Sequence, residues 1–209
     1  MLTQAKLRSF LIVASSIPIG IASACFGYFV VNRPVPSHPE VSYPASPKID
    51  QRLELRLTEE FRNTVFEKRV ITETWRTPLG EPLSVNSEQL ARTLFSDVLV
   101  TRNAVNSPVA ATVDAVLTPA VVSVEQLIGK TTFSDSVLTV VLEWTLKDQS
   151  GRLIWVETVT GEGTGNLWQD EKRGRELIDD LFTKSYQAIQ SSVEIRGFVQ
   201  NSRRIEGRE

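Results

Sequence analysis

Cysteine and histidine each occur once, as Cys25 and His38. A single cysteine excludes a disulfide within the chain, and one residue of each kind excludes a Cys/His metal site unless chains associate. Both stand in the first forty residues, outside the regularly patterned part. A Ser–His or Cys–His pair, which needs base and nucleophile within hydrogen-bond reach, is therefore excluded. No SxxK spacing offers Ser–Lys chemistry. Charge of either sign is scarce in excess: 23 Lys and Arg against 25 Asp and Glu leave −2, which gives no footprint for nucleic acid. No EF-hand spacing and no repeat of fixed period is visible.

What is present centres on residues 137–160, VLTVVLEWTLKDQSGRLIWVETVT. Leu138, Val140, Leu142, Trp144 and Leu146 recur at spacing two, with Thr139, Val141, Glu143, Thr145 and Lys147 between them. That alternation sends apolar and polar side chains to opposite faces of a half-covered antiparallel strand. Asp148 can bond its own backbone at the turn, and Gly151 can take the positive φ that closes the hairpin. On the second arm Leu153, Trp155 and Val159 share a face, while Ile154 and Val156 make the other face apolar too. Such a strand is expected to be central, or covered by a second layer.

The amino terminus carries Lys6 and Arg8 before an uncharged run over residues 10–31. One reading is a lipoprotein signal ending in Ala22-Ser23-Ala24-Cys25, with Cys25 the lipidated residue. It departs from the usual lipobox in having Ala22 where Leu is favoured, and the residues after Cys25 are unusually apolar. The other reading is an uncleaved transmembrane helix, long enough for a hydrocarbon core of roughly 30 Å and oriented by the basic residues before it. Plain cleavage after Ala24 is the third. All three export the remainder of the chain. Residues 32–48 contain Pro34, Pro36, Pro39, Pro44 and Pro47, half of the ten prolines. They predict an extended, semi-rigid spacer of about 50 Å that stands the domain off a membrane.

The folded domain is expected over residues 49–196. Leu53, Leu55 and Leu57 alternate with Arg52, Glu54 and Arg56, a strand with one buried face. Thr58 to Trp75 mixes helical and strand spacing and is read as a strand running on through irregular structure. Asn86 with Gln89 suggests a capping box that opens a helix carrying Leu90, Leu94, Phe95 and Val98. Thr112 to Gln126 reads as a long strand, with Pro119 marking an edge or a bend. Ile178, Phe182, Tyr186, Ile189 and Val193 give the clearest amphipathic helix, about 169–195. Residues 197–209 form a polar, fraying tail. The fold class is α+β: a mostly antiparallel sheet with two amphipathic helices on one face, preceded by a membrane anchor and Pro-rich spacer.

An anchor and spacer, a helix ending in Leu94-Phe95-Ser96-Asp97-Val98, Val113 to Pro119, Trp144 to Asp148 and Gly151 to Trp155 together resemble small bacterial envelope lipoproteins. The resemblance spans about residues 51–192 and is nearest to the LptE-like, lipopolysaccharide-assembly class. It implies a non-catalytic accessory role beside an envelope transport or assembly machine, and carries over no binding residue.

Three features are weighed for chemistry. Gly161, Gly163 and Gly165 come after a strand and precede a helix, but the spacing is GxGxG and no P-loop lysine accompanies it, so a flexible connection is the expectation. Asp179-Asp180 and Glu59-Glu60 are paired carboxylates, which glycoside hydrolysis would use, but a solvated helix face explains the first pair. Trp168, in the loop after the glycines, is the candidate partner contact if exposed, since interfaces are enriched in tryptophan. The expectation is an envelope protein with its domain in the periplasm, anchored in the inner membrane or by lipid. It is not an enzyme, uses no cofactor, and binds an envelope protein complex. The alternative is a periplasmic module for a small molecule, lipid or glycan.

Overall fold

The computed structural model describes residues 29–36, 41–70, 73–102, 112–129, 134–166 and 168–206; Phe29 and residues 201–206 are described by their backbone alone. In chain order the elements are β1 (Phe29–Asn32), β2 (Ile49–Arg56), α1 (Glu59–Arg62), β3 (Val65–Val70), β4 (Glu73–Pro78) and α2 (Gly80–Leu94). Next come β5 (Phe95–Thr101), β6 (Ala115–Leu127), β7 (Ser136–Asp148), β8 (Leu153–Gly165), α3 (Asp170–Ser191) and α4 (Val193–Glu206).

The hairpin forms as the alternation dictates. Leu142 pairs with Val159 and Leu146 with Trp155, so the apolar residues of both arms share one face. Gly151 has φ +84°, and Asp148 Oδ1 accepts from the backbone N–H of Ser150 and of Arg152, both at 3.0 Å. The five-stranded sheet has the order β5-β2-β6-β7-β8 and is mixed. β2 runs parallel to both β5 and β6, whereas β6–β7–β8 is an antiparallel meander. A second sheet, β1-β4-β3, pairs β1 parallel and β3 antiparallel to β4. The expectation of a mostly antiparallel sheet is thus corrected. Phe95 to Thr101 leaves α2 without a loop and, instead of prolonging the helix, returns beside β2. A helical crossover makes such a return parallel.

Other expectations are corrected for local reasons. There are four helices among the described residues, not two. Thr58 ends β2 by capping α1, its hydroxyl accepting from Phe61 N–H at 3.2 Å, and β3 and β4 then form a separate hairpin. Asn86 lies inside α2, fully buried, donating to the Pro82 carbonyl at 2.7 Å. β8 is an edge strand, not a central one, and leaves Leu153 and Val156 exposed. On β2, Glu54 and Arg56 are buried as a 2.8 Å ion pair, and Thr101 donates to the same carboxylate at 2.7 Å. Pro119 stands two residues past Leu117, the last β6 residue paired with β2, so the proline does mark where β6 becomes a free edge. The expected tail is helical from Val193. Ser192 is extended and its hydroxyl accepts from Ile195 N–H at 3.1 Å, which caps α4.

α2 and α3 cover one face of the sheet, and their apolar stripes meet Leu53, Leu55, Leu117, Leu138, Leu142 and Trp144 in a single core. Trp144 Nε1 donates to Ser185 Oγ of α3 at 2.9 Å, and its ring meets Phe182 edge-on. The glycine run is neither a cradle nor a loose connection: it is the last part of β8. Spacing two puts all three glycines on the face toward α3. A Cβ on Gly163 would lie 1.9 Å from the Arg173 carbonyl oxygen, and one on Gly161 2.5 Å from Leu181 Cβ. Hydrogen in place of a side chain lets the helix rest on the strand backbone.

Gly163→Ala is therefore expected to lower stability by about 1–3 kcal/mol through overpacking. Gly197→Ala, where a Cβ meets nothing within 4 Å on α4, is expected to raise it by about 0.5–1 kcal/mol. Urea unfolding of both variants checks the pair. At the turn, hydrogen bonding from the Ser150 hydroxyl chiefly holds the Asp148 carboxyl below its usual pKa. A pKa lower in the folded than in the unfolded chain stabilises above about pH 4 and loses that contribution as pH falls. The melting-temperature advantage of the native chain over Asp148→Asn should shrink on acidification and vanish below the folded-state pKa.

Candidate functional site

The proline-rich stretch does not stand the domain off. It is a strap along α3, held at successive points. Val35 and Val41 are buried in the core. Pro36 Cδ and Val35 Cα lie 2.9 and 3.1 Å from where a Cβ would stand on Gly174, so the strap crosses α3 where that helix has no side chain. Further along, the Tyr43 ring stacks on Tyr186 at 5.2 Å. The Tyr186 hydroxyl donates to the Pro44 carbonyl at 3.0 Å and shares a hydrogen bond with Ser46 Oγ, which also accepts from Gln190 at 2.6 Å. Gln89 of α2 donates to the Val41 carbonyl at 3.4 Å. Residues 33–36 and 41–46 are held by these contacts in a docked conformation.

At its amino-terminal end the strap is clasped. Arg33 Nη1 meets Asp170 Oδ2 at 2.8 Å, and its guanidinium lies 4.4 Å from the Trp75 ring centroid. Arg173, buried in the first turns of α3, binds the other oxygen of Asp170. Burial lowers the Arg173 pKa and the charge of Arg33 adds to that, while Asp170 opposes both by favouring the cation. One carboxylate shared by two guanidiniums, one of them stacked on indole, suits arginine's planar fork. Trp75 Nε1 in turn donates to Glu73 at 3.0 Å. Sequence reasoning missed this clasp: Arg33 sits in a spacer-like stretch and Trp75 on a strand, and no spacing rule joins positions so far apart.

Trp168 is 78 % exposed. It does not pack under α3. Its backbone N–H donates to Asn166 Oδ1 at 3.0 Å, and Gln169 N–H donates to the Asn166 carbonyl at 3.0 Å, so the exposed ring is carried on a fixed turn. Of the carboxylate pairs, Asp180 accepts from Glu162 N–H at 3.0 Å and from Lys184 at 2.7 Å, which ties α3 to β8. Glu59 and Glu60 form the first turn of α1. No group of three or more metal-ligating side chains occurs among the described residues. No helix among them is long and apolar enough to cross a membrane. Cys25, His38 and the uncharged run before Phe29 lie outside the described residues.

A cleft of about 400 Å³ opens where α3 bends into α4, walled by Ile189, Ile195 and Val199 on one side and Pro47 to Asp50 on the other, with Arg196 at its rim. A second, of about 420 Å³, lies between α1 and β6 and is lined by Thr58, Glu60, Asn63 and Val121 among others. The space between α3 and the sheet is filled by Leu177, Leu181 and Phe182, all fully buried.

Tyr43 and Tyr186 separate the strap's packing from its hydrogen bonds. The Tyr43 hydroxyl is buried without a hydrogen-bond partner among the described residues, and burial, with the charge of Asp179, pushes its pKa up. Tyr43→Phe should be neutral or stabilising, whereas Tyr186→Phe should cost about 0.5–1.5 kcal/mol and expose residues 43–46 to faster amide exchange. Chemical denaturation and hydrogen exchange of the two variants check this.

No family model and no curated protein matches the chain. Among solved structures it is similar to protein XCC0632 from Xanthomonas campestris, with a TM-score of 0.47 and 13 % identity over 83 % of this chain and 99 % of that one. A minor lipoprotein from Acinetobacter baumannii is similar with a TM-score of 0.40 and 16 % identity, over 69 % and 94 % of the two chains. Lipoprotein GNA1162 from Neisseria meningitidis has a TM-score of 0.35 and 16 % identity, over 70 % and 100 %. Each likeness is distant.

Proposed function

We propose that this chain is a membrane-tethered, non-catalytic docking protein of the bacterial envelope, anchored through a lipid on Cys25. The supporting observation is the strap. Residues 33–36 and 41–48 are bound along α2 and α3, so whatever holds the chain before Phe29 holds the whole domain, with little slack between. The same observation bears on the anchor. The apolar Phe29-Val30-Val31, which fit poorly as the start of a mature lipoprotein, are strand β1, paired with Glu73 to Trp75. Their hydropathy belongs to the domain, and the uncharged run available for a membrane helix shrinks to residues 10–28. That stretch is close to the lower limit for spanning roughly 30 Å.

Docking to a protein of an envelope assembly is supported by β8. It ends the sheet with one edge unpaired among the described residues and shows Leu153 and Val156 to solvent, a surface to which an extended partner segment can add. The assignment to a transport or assembly machine rests on the residue pattern alone. A second reading, a binder of an amphiphile, is favoured by the cleft at the α3–α4 bend, where Ile189, Ile195 and Val199 face Lys48 and Arg196.

In cells, Cys25→Ser should move the chain from the membrane fraction to the soluble one and remove the mobility shift that acylation causes on a gel. Retention in membranes at unchanged mobility would instead identify residues 10–28 as the anchor. Crosslinking in intact cells with subsequent mass spectrometry, and with a crosslinker placed at Val156, should capture an envelope protein. Capture lost when Leu153→Lys is added supports the docking edge.

A further inference from the structure

We infer that the end of the domain carrying Trp168 rests on the lipid bilayer, with Trp168 at the membrane–water interface; this assigns Trp168 to lipid rather than to a protein partner, and it rests on the tethered reading above.

The strap fixes where the tether arrives. Its contacts climb α3 in reverse: Ser46 at Gln190, Tyr43 at Tyr186, Val35 at Gly174, Arg33 at Asp170. Asp170 is the first residue of α3, so everything upstream of Arg33 continues past the amino-terminal end of that helix. Trp168 occupies the turn beyond the same end. The sheet places a third element there. β8 ends at Gly165, which pairs with Ser136 at the start of β7, and Val137 pairs with Leu127 at the end of β6. One pole therefore gathers the chain entry, the Trp168 turn and the tip of β6.

That pole also carries exposed apolar side chains. Trp168 is 78 % exposed, Leu127 70 % and Val30 60 %, each from a different segment. Scattered apolar residues on a surface need no explanation, but these stand toward the end where a tether enters, which gives them an evident occupant. The length of the tether decides which occupant. From Cys25 to Phe29 the chain spans at most about 14 Å when fully extended. A lipid on Cys25, or a helix ending at residue 28, keeps this pole within that distance of the headgroups.

The chemistry suits an interface. Indole has an apolar body and a polar N–H, which is why tryptophan collects at the boundary between hydrocarbon and water. Asp170, two residues on from Trp168, is already neutralised by Arg33 and Arg173, while Glu171 and Asp135 remain exposed at the same end. The backbone N–H of Trp168 is itself held by Asn166 Oδ1, so exposure of the ring does not leave that N–H without a partner.

Trp75, Trp144 and Trp155 are buried, so a quencher in the bilayer selects Trp168 among the four tryptophans. The full chain, extracted from membranes with its native amino-terminal processing, is reconstituted into vesicles of phosphatidylethanolamine and phosphatidylglycerol. The acyl chains are either plain or brominated near the headgroup. Flotation of the vesicles is measured on the same samples. The expected result is co-flotation with loss of a blue-shifted emission component in brominated vesicles, a loss that is absent in Trp168→Phe. In Leu127→Gln the component should be less quenched, because the pole sits less deeply. Co-flotation with equal emission in both vesicle types would overturn the inference while leaving the tether intact. In that case access of acrylamide to Trp168 shows a water-facing pole, and its exclusion shows a pole covered by protein or by a second copy. Failure of the chain to float overturns the tethered reading and this inference together.

Discussion

Everything distinctive in this molecule depends on how closely α3 lies against β8. The three glycines at spacing two remove the side-chain layer that normally separates a helix from a sheet, and the helix rests on backbone over Gly161 to Gly165. Contact at that range is intolerant of any added carbon, so it fixes α3 in translation and in rotation. With α3 fixed, Ser185 meets Trp144, Asp180 reaches the backbone of Glu162, and the groove beside α2 takes one shape. The strap fills that groove, and Asp170 sits where Arg33 must pass. The place of Arg33 is a consequence of glycines more than a hundred residues away.

The clasp at Arg33 shows how charge and aromatic packing share a task. An exposed ion pair contributes little, because water and side-chain entropy offset the Coulomb attraction. Here the pair is largely desolvated, the carboxylate serves two guanidiniums, and Trp75 supplies a flat apolar surface for the one that arrives on the strap. Removing any single member leaves a buried charge with fewer partners, and that asymmetry makes the clasp a lock rather than a decoration.

Local periodicity made much of the fold legible before any coordinates. The alternation of Leu138 to Leu146 and the stripe of α3 each encode an element together with its buried face, and the Asp148–Gly151 turn encodes the link between two of them. What escaped depends on pairings between distant residues. Nothing local distinguishes a strand that returns parallel beside β2 from one that starts a new hairpin, so the mixed sheet was not readable. β8 looked central because Ile154 and Val156 are apolar, yet an edge strand with an exposed apolar face has the same pattern when that face serves another purpose. The prolines point to an extended chain, but extension alone does not tell a free spacer from a docked strap. Val35 and Val41, apolar residues set among prolines and polar neighbours, were the signal that this stretch buries side chains. Trp168 was legible as a residue of interest, but its place at the same end as Arg33 needed the register of three strands.

This geometry also changes what holds a docking surface away from a membrane. A free proline-rich spacer would have given reach without orientation. With the strap bound, reach must come from the domain. β8 runs from Leu153 to Gly165, and its last residue belongs to the pole where the tether enters. At about 3.3 Å per residue, Val156 lies roughly 30 Å along the strand from that pole. With the pole on the bilayer, the unpaired edge rises from the membrane and presents Leu153 and Val156 at its outer end, in a fixed direction. A partner would then lose little orientational entropy on docking, because the proposed tether and interfacial tryptophan would already restrict rotation of the domain. On this reading the sheet is both the wall that packs α3, with inward residues buried along nearly all of β7, and the rod that sets the height of the contact.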